Sequence, residues 1–152
     1  MKKGFTMIEL IFVIVILGIL AAVAIPRLTA TRDDAVISKL AANLSTLVSD
    51  AGSYYTSQGL TKWQAVTWPL LTNVQLQGSA SDMSSATGDI QTNTAYMNAD
   101  ASHSCFTITT TVDGNMTVAN GSDTSSVICI GAQSLAKDLV KTHTFGGVGI
   151  TR

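Results

Sequence analysis

Hydrophobic and polar positions divide the chain into unlike stretches. From Phe5 to Ile25 apolar residues follow one another with a single charge, Glu9, and nothing later resembles this run. A helix rises about 1.5 Å per residue, so the run reaches roughly 31 Å, close to the hydrocarbon thickness of a bilayer. Beyond it Val36, Leu40, Leu44, Leu47, Ala51 and Tyr54 or Tyr55 recur at spacings of four and three, the stripe of an amphipathic helix that continues the first. Pro26 removes an intrahelical donor and is expected to kink or loosen that helix, and Gly18 lowers helix propensity nearby. Gly52 and Gly59 flank its expected end, with Ser53 to Gly59 as a fraying terminus, so the helix would run about 53 residues, or roughly 80 Å.

The second half reads differently. Thr61-Lys62-Trp63-Gln64 has capping-box spacing and predicts a short helix that stops before Pro69. Trp63 and Trp68 are expected in the core of a small head, with a binding role as the lesser alternative. Gly78 to Ser104 is rich in Ser, Thr, Asn, Asp and Gly and predicts a long loop, facing outward or making subunit contacts. Phe106, Ile108, Thr110 and Val112 then alternate with Thr107, Thr109 and Thr111, which is a strand with one apolar face. Asp113-Gly114-Asn115 predicts a turn, Met116 to Ala119 a return strand, and Val127-Ile128-Cys129-Ile130 a third strand. Leu135 and Leu139 fall on a short helix in the tail. The fold class is α+β: a long helix, half membrane-spanning and half amphipathic, packed on a small antiparallel sheet.

Composition narrows the functions. Hydrophobic residues are 46% and charged residues 12%, about half the usual quarter, which excludes a disordered chain. Net charge is −1, and between Lys62 and Lys137 the only charges are Asp82, Asp89, Asp100, Asp113 and Asp123, so the clustered cations of a nucleic-acid face are missing. The histidines are His103 and His143, no Glu follows Glu9, and neither a phosphate-binding glycine loop nor a nucleophile elbow is present. The sequence therefore reads as a non-enzyme. The scattered Asp residues lack the alternating oxygen ligands of a Ca²⁺ loop. Asp113-Gly114-Asn115-Met116-Thr117 matches an acid-extended N-glycosylation pattern, although the turn alone explains the same residues.

Lys2 and Lys3 precede the apolar run and belong on the cytoplasmic side by the positive-inside rule. The rest of the chain then lies across the membrane, where disulfides form, and Cys105 and Cys129 read as a pair closing about 24 residues. His103 near Cys105 does not make the compact ligand pairs of a zinc site, so no metal is assigned. Three readings of the N-terminus compete: a secretory signal, for which Ala22-Val23-Ala24 fits the A-x-A cleavage rule; a plain anchor; and a processed filament subunit. A carboxylate within a span costs about 2.5 to 3.5 kcal/mol, so Glu9 calls for a partner or a purpose that the first two readings do not supply.

Lys2-Lys3-Gly4-Phe5-Thr6-Met7-Ile8-Glu9-Leu10-Ile11 resembles the class III signal of type IV pilins and type II secretion pseudopilins. The resemblance covers roughly the first 30 residues. It implies cleavage between Gly4 and Phe5 by a prepilin peptidase, with 1–4 as the leader, N-methylation of Phe5, and a charge pair between the new Phe5 ammonium and Glu9, preferably of a neighbouring subunit. Gly18 and Pro26 fall where that family carries a glycine and a helix-bending proline, and the resemblance implies a stretch that melts when subunits pack, allowing the filament to stretch.

Residues 5–26 would form the membrane or filament-core helix, 27–59 its amphipathic continuation, and 60–152 the head, with loop 78–104 and a disulfide-closed sheet over 105–130. The implied partners are further copies of the chain, minor pilins or pseudopilins, the peptidase, an inner-membrane assembly platform and, before assembly, lipid. The implied location is the bacterial inner membrane, single pass with the head outside the cytoplasm, and then a periplasmic or extracellular filament. No cofactor is implied, except that some pseudopilins hold Ca²⁺ in their heads. A pilus, a type II secretion pseudopilus and an unpolymerised binding module remain three distinct functions, and the tail from Gly131 to Arg152 departs from pilins whose second cysteine lies almost at the end.

Overall fold

The computed structural model describes residues 4–146. The chain divides into two compact units at Ala35/Val36, and helix α1 (Met7–Trp63) contributes to both. Most of the expected leader, Lys2 and Lys3 included, and the tail beyond residue 146 lie outside the described residues.

The N-terminal unit is helical from Met7 onward. Its apolar side chains are exposed all round, with Phe5 90%, Phe12 66% and Leu28 69% accessible, so no described residue covers them. Helices that are hydrophobic on every side are stable only inside lipid or protein. α1 contains the window long and apolar enough to cross a membrane. Gly18 and Pro26 keep helical backbone angles; the single departure in α1 is Gly59, at φ 74°. Because Pro26 has no N–H, the Ala22 carbonyl one turn earlier loses its usual donor. One turn after Ile25, the Thr29 hydroxyl donates to the Ile25 carbonyl at 3.2 Å.

The second unit is built on the expected helical stripe. Leu40, Leu44, Leu47 and Ala51 are all buried, and they face a four-stranded antiparallel meander in the order β1 (Ala95–Asp100), β2 (His103–Thr110), β3 (Asn115–Asn120), β4 (Thr142–Thr144). Phe106 and Ile108 point inward from β2, and Met116 and Val118 from β3. Gly114 makes the β2–β3 turn at φ 83°, a conformation that favours glycine, and a Cβ there would also meet the Tyr55 ring.

Four expectations are corrected. The helix does not fray from Ser53. It continues to Gly59, where the left-handed glycine redirects the chain, and a further turn carries Trp63 into the core. The short helix expected from Thr61 is that single turn, which begins just past Gly59 rather than at Thr61 and ends at Trp63. A separate short helix follows, α2 (Trp68–Leu71), which has Pro69 in its first turn, where a missing N–H is harmless. The expected loop 78–104 contains β1 and the first residues of β2, and its remainder is pinned to the head's own sheet. Gln77 bridges Tyr96 and Ser85, and the Asn98 side-chain amide donates to the carbonyls of Ser79 (3.0 Å) and Asp82 (2.8 Å). Residues 127–130 are not a strand. They open helix α3 (Val127–Leu135), whose Ser126 hydroxyl accepts from the Cys129 amide at 3.4 Å, and the strand that pairs with β3 is β4.

The disulfide between Cys105 and Cys129 therefore ties β2 to a helix rather than to a second strand, with Cα atoms 4.6 Å apart. Small residues make the approach close. Cys129 and Ala132 form the buried side of α3, the buried Ala136 follows as its C-cap, and Gln133 Nε2 donates to the Cys105 carbonyl at 2.9 Å.

Candidate functional site

Thr6 and Glu9 form a reciprocal cap at the start of α1. The Thr6 amide donates to Glu9 Oε2 at 2.8 Å and the Thr6 hydroxyl to the same oxygen at 2.6 Å, while the Glu9 amide donates to the Thr6 hydroxyl at 3.4 Å. The first four amides of a helix lack intrahelical partners, and Thr-x-x-Glu satisfies two of them at once. The macrodipole favours the carboxylate at that end. Thr6 is not singled out by composition, but Thr6-Met7-Ile8-Glu9 has the same capping-box spacing as Thr61-Lys62-Trp63-Gln64 and is legible in the chain by that signal.

In the uncut chain the Phe5 nitrogen belongs to the peptide bond with Gly4, so the charge pair expected with Glu9 has no ammonium to form it. Phe5 stands immediately before Thr6 with its ring exposed. Any cation created there would lie within one helical turn of the carboxylate. Both Thr6 donors go to Oε2, which leaves Oε1 for a second partner.

The tryptophans are structural. Trp63 and Trp68 are buried, and their indole nitrogens donate to the carbonyls of Thr111 and Asn93, each at 2.9 Å. Asn115 sits at the start of β3, where its amide oxygen is buried rather than presented at the tip of the turn. Among the described residues no group of three or more His, Cys, Asp or Glu side chains is arranged to hold a metal ion.

Residues 1–25 match the model of the prokaryotic N-terminal methylation motif. That match covers residues 1–4, the candidate cleavage site and the capped carboxylate. Over 106 residues the chain is 32% identical to the major component of the type IV narrow pilus of Thermus thermophilus, an overlap covering 70% of this chain and 85% of that relative. The chain belongs to the type IV pilin family. No solved structure matches this pilin. Its long apolar helix, four-stranded antiparallel sheet and disulfide are the α+β architecture the sequence predicts, and the family is one of structural proteins. The motif and the helix fit membrane anchoring and a filament.

Proposed function

We propose that this pilin is a structural subunit of a type IV pilus, cut between Gly4 and Phe5 by a prepilin peptidase, N-methylated on Phe5, and drawn from the inner membrane into a filament by its N-terminal helix. One observation carries the proposal: an apolar helix that no described residue covers begins with a carboxylate next to Phe5, where a cut after Gly4 would leave a new ammonium, and the stretch lies within the matched methylation motif. Before assembly lipid covers the helix, and afterwards copies of the same helix do. Burial of apolar surface is non-directional, so it supplies adhesion without register. A Phe5 ammonium seeking the Glu9 carboxylate of a neighbour supplies the register, because in a low-dielectric core an unpaired charge is expensive. Pro26, with its missing bond, and Gly18 are where the helix would melt when subunits pack, leaving the filament able to stretch. A pilus is favoured over a secretion pseudopilus because the relative aligned over most of both chains is a pilus component.

Glu9→Ala tests the mechanism. The variant is expected to remain in the membrane fraction and yield no filaments, whereas wild-type filaments made from Glu9→Ala alone would overturn it.

A further inference from the structure

A cluster in the head, remote in sequence from the N-terminal site, has no part in the proposal above. Asp100 ends β1, His103 begins β2, and Asp123 lies in the loop that leads into α3. His103 Nδ1 is 2.7 and 2.8 Å from the two oxygens of Asp100, and its Nε2 is 3.6 Å from Asp123 Oδ2. Asp123 Oδ1 is fully used: it accepts from the Ser125 amide and hydroxyl, both at 2.7 Å, and from the Ser126 amide at 3.2 Å. Ser126 in turn caps α3. Asp123 Oδ2 is buried and has no hydrogen-bond donor.

A neutral imidazole carries one N–H and one lone pair. If the proton is on Nδ1, facing Asp100, the Nε2 lone pair confronts the buried oxygen of Asp123. If it is on Nε2, the lone pair confronts Asp100. Only the imidazolium presents a donor to both carboxylates. The geometry points to a proton-gated latch, in which protonated His103 ties the β1–β2 turn to the loop opening α3 and loss of its proton releases that loop at Asp123.

The charged groups facing His103 are Asp100 from β1 and Asp123 from the α3 loop, while the neighbouring Cys105 and Cys129 are oxidised and do not titrate. The hydrogen bond to Asp100 chiefly raises the His103 pKa above its ordinary value, and the charges of Asp100 and Asp123 add to it. The Ser102 amide, then His103, lowers Asp100, and the Ser125 amide and hydroxyl chiefly lower Asp123. A raised histidine stabilises the fold fully below the unfolded pKa, about 6.5, and that contribution is lost as pH rises through the folded value. Lowered carboxyls stabilise above their unfolded values, near 4, and lose that contribution as pH falls through the folded ones. The latch is thus fully closed between about pH 4 and about pH 6.5 and opens on the alkaline side. About a third of the His103 side chain is exposed, so bulk pH reaches it directly.

The test uses the full chain in detergent micelles, following the His103 ring nitrogens and the amides of Ser125, Ser126 and Cys129 by NMR from about pH 5 to about pH 9. His103 should titrate above the ordinary histidine value, and the loop amides should move with the same midpoint and lose roughly threefold to tenfold in exchange protection across it. His103→Gln should abolish the step, Asp123→Asn should lower the His103 midpoint, and His143→Gln should change neither. A His103 midpoint at or below the ordinary value, or a loop step that survives His103→Gln, overturns the latch. Should His103→Gln lose the β2–β3 amide pattern, the wild-type midpoint and its coincidence with the loop step decide the matter alone.

Discussion

Thr6 gives both its amide and its hydroxyl to one carboxylate oxygen of Glu9, at 2.8 and 2.6 Å. The acid that a membrane segment should not contain is thereby provided with donors from its own helix terminus. In the proposed mechanism it would wait in lipid without being an isolated charge. Both Thr6 donors go to Oε2, so capping and the proposed assembly contact would use different atoms of one side chain.

Thr6→Val keeps the shape and removes the hydroxyl. Loss of an N-cap costs about 1 kcal/mol, so amide exchange over the first turn of α1 should accelerate roughly fivefold, and filament yield should fall. Thr6→Ser should restore both. Equal exchange in the Val variant and wild type would mean that the cap does not hold the first turn.

Closing about 24 residues by a disulfide stabilises a fold by about 3 kcal/mol in the loop-entropy description. Replacing Cys105 and Cys129 together by Ala should lower the urea midpoint of the head by that equivalent under non-reducing conditions. Because the bridge holds α3 against β2, exchange protection should be lost first in Val127–Leu135. Uniform loss across the sheet would contradict this placement.

Gly121 donates its amide to the Cys105 carbonyl at 2.8 Å, and a Cβ on it would run into the Ser104 carbonyl, which is backbone and cannot swing away. Gly121→Ala should therefore destabilise the head by about 1 to 3 kcal/mol, as overpacking does, whereas Gly18→Ala, with open space around it, should leave head stability unchanged. Thermal unfolding of the two variants side by side checks the contrast.

Leu44 is completely buried against the sheet. Leu44→Ala should cost about 2 to 5 kcal/mol. Trp63→Phe should cost less, about 1 kcal/mol, from the lost bond to the Thr111 carbonyl together with a reduced contact with Phe145.

What was legible in the chain is what periodicity governs. The Leu40 to Ala51 stripe and the Phe106/Ile108 alternation each bury one face, and such faces repeat at 3.6 or at two residues whatever their neighbours do. α3 was misread because Val127, Ile128 and Ile130 are β-branched; the Ser126 cap and the small buried set Cys129, Ala132 and Ala136, spaced three and four apart, outweighed propensity. β1 was invisible because register shifts after Met97 and after Asn98 break its alternation, and its burial comes from Gln77 and the 79–82 turn, which are distant in sequence. β4 has three residues and two threonines, too few to carry a period. At the N-terminal site Glu9 stood out because a charge in an apolar run is conspicuous, whereas its partner Thr6 was ordinary in composition and distinguished only by spacing.

Whether the chain is a processed filament subunit is decided most directly by the intact mass and N-terminal sequence of the protein from its native membrane. The account predicts a first residue of N-methylated Phe5, with Met1 to Gly4 removed. A chain beginning at Ile25, or one still carrying Met1, would contradict it, since either leaves Glu9 without the ammonium that its role requires.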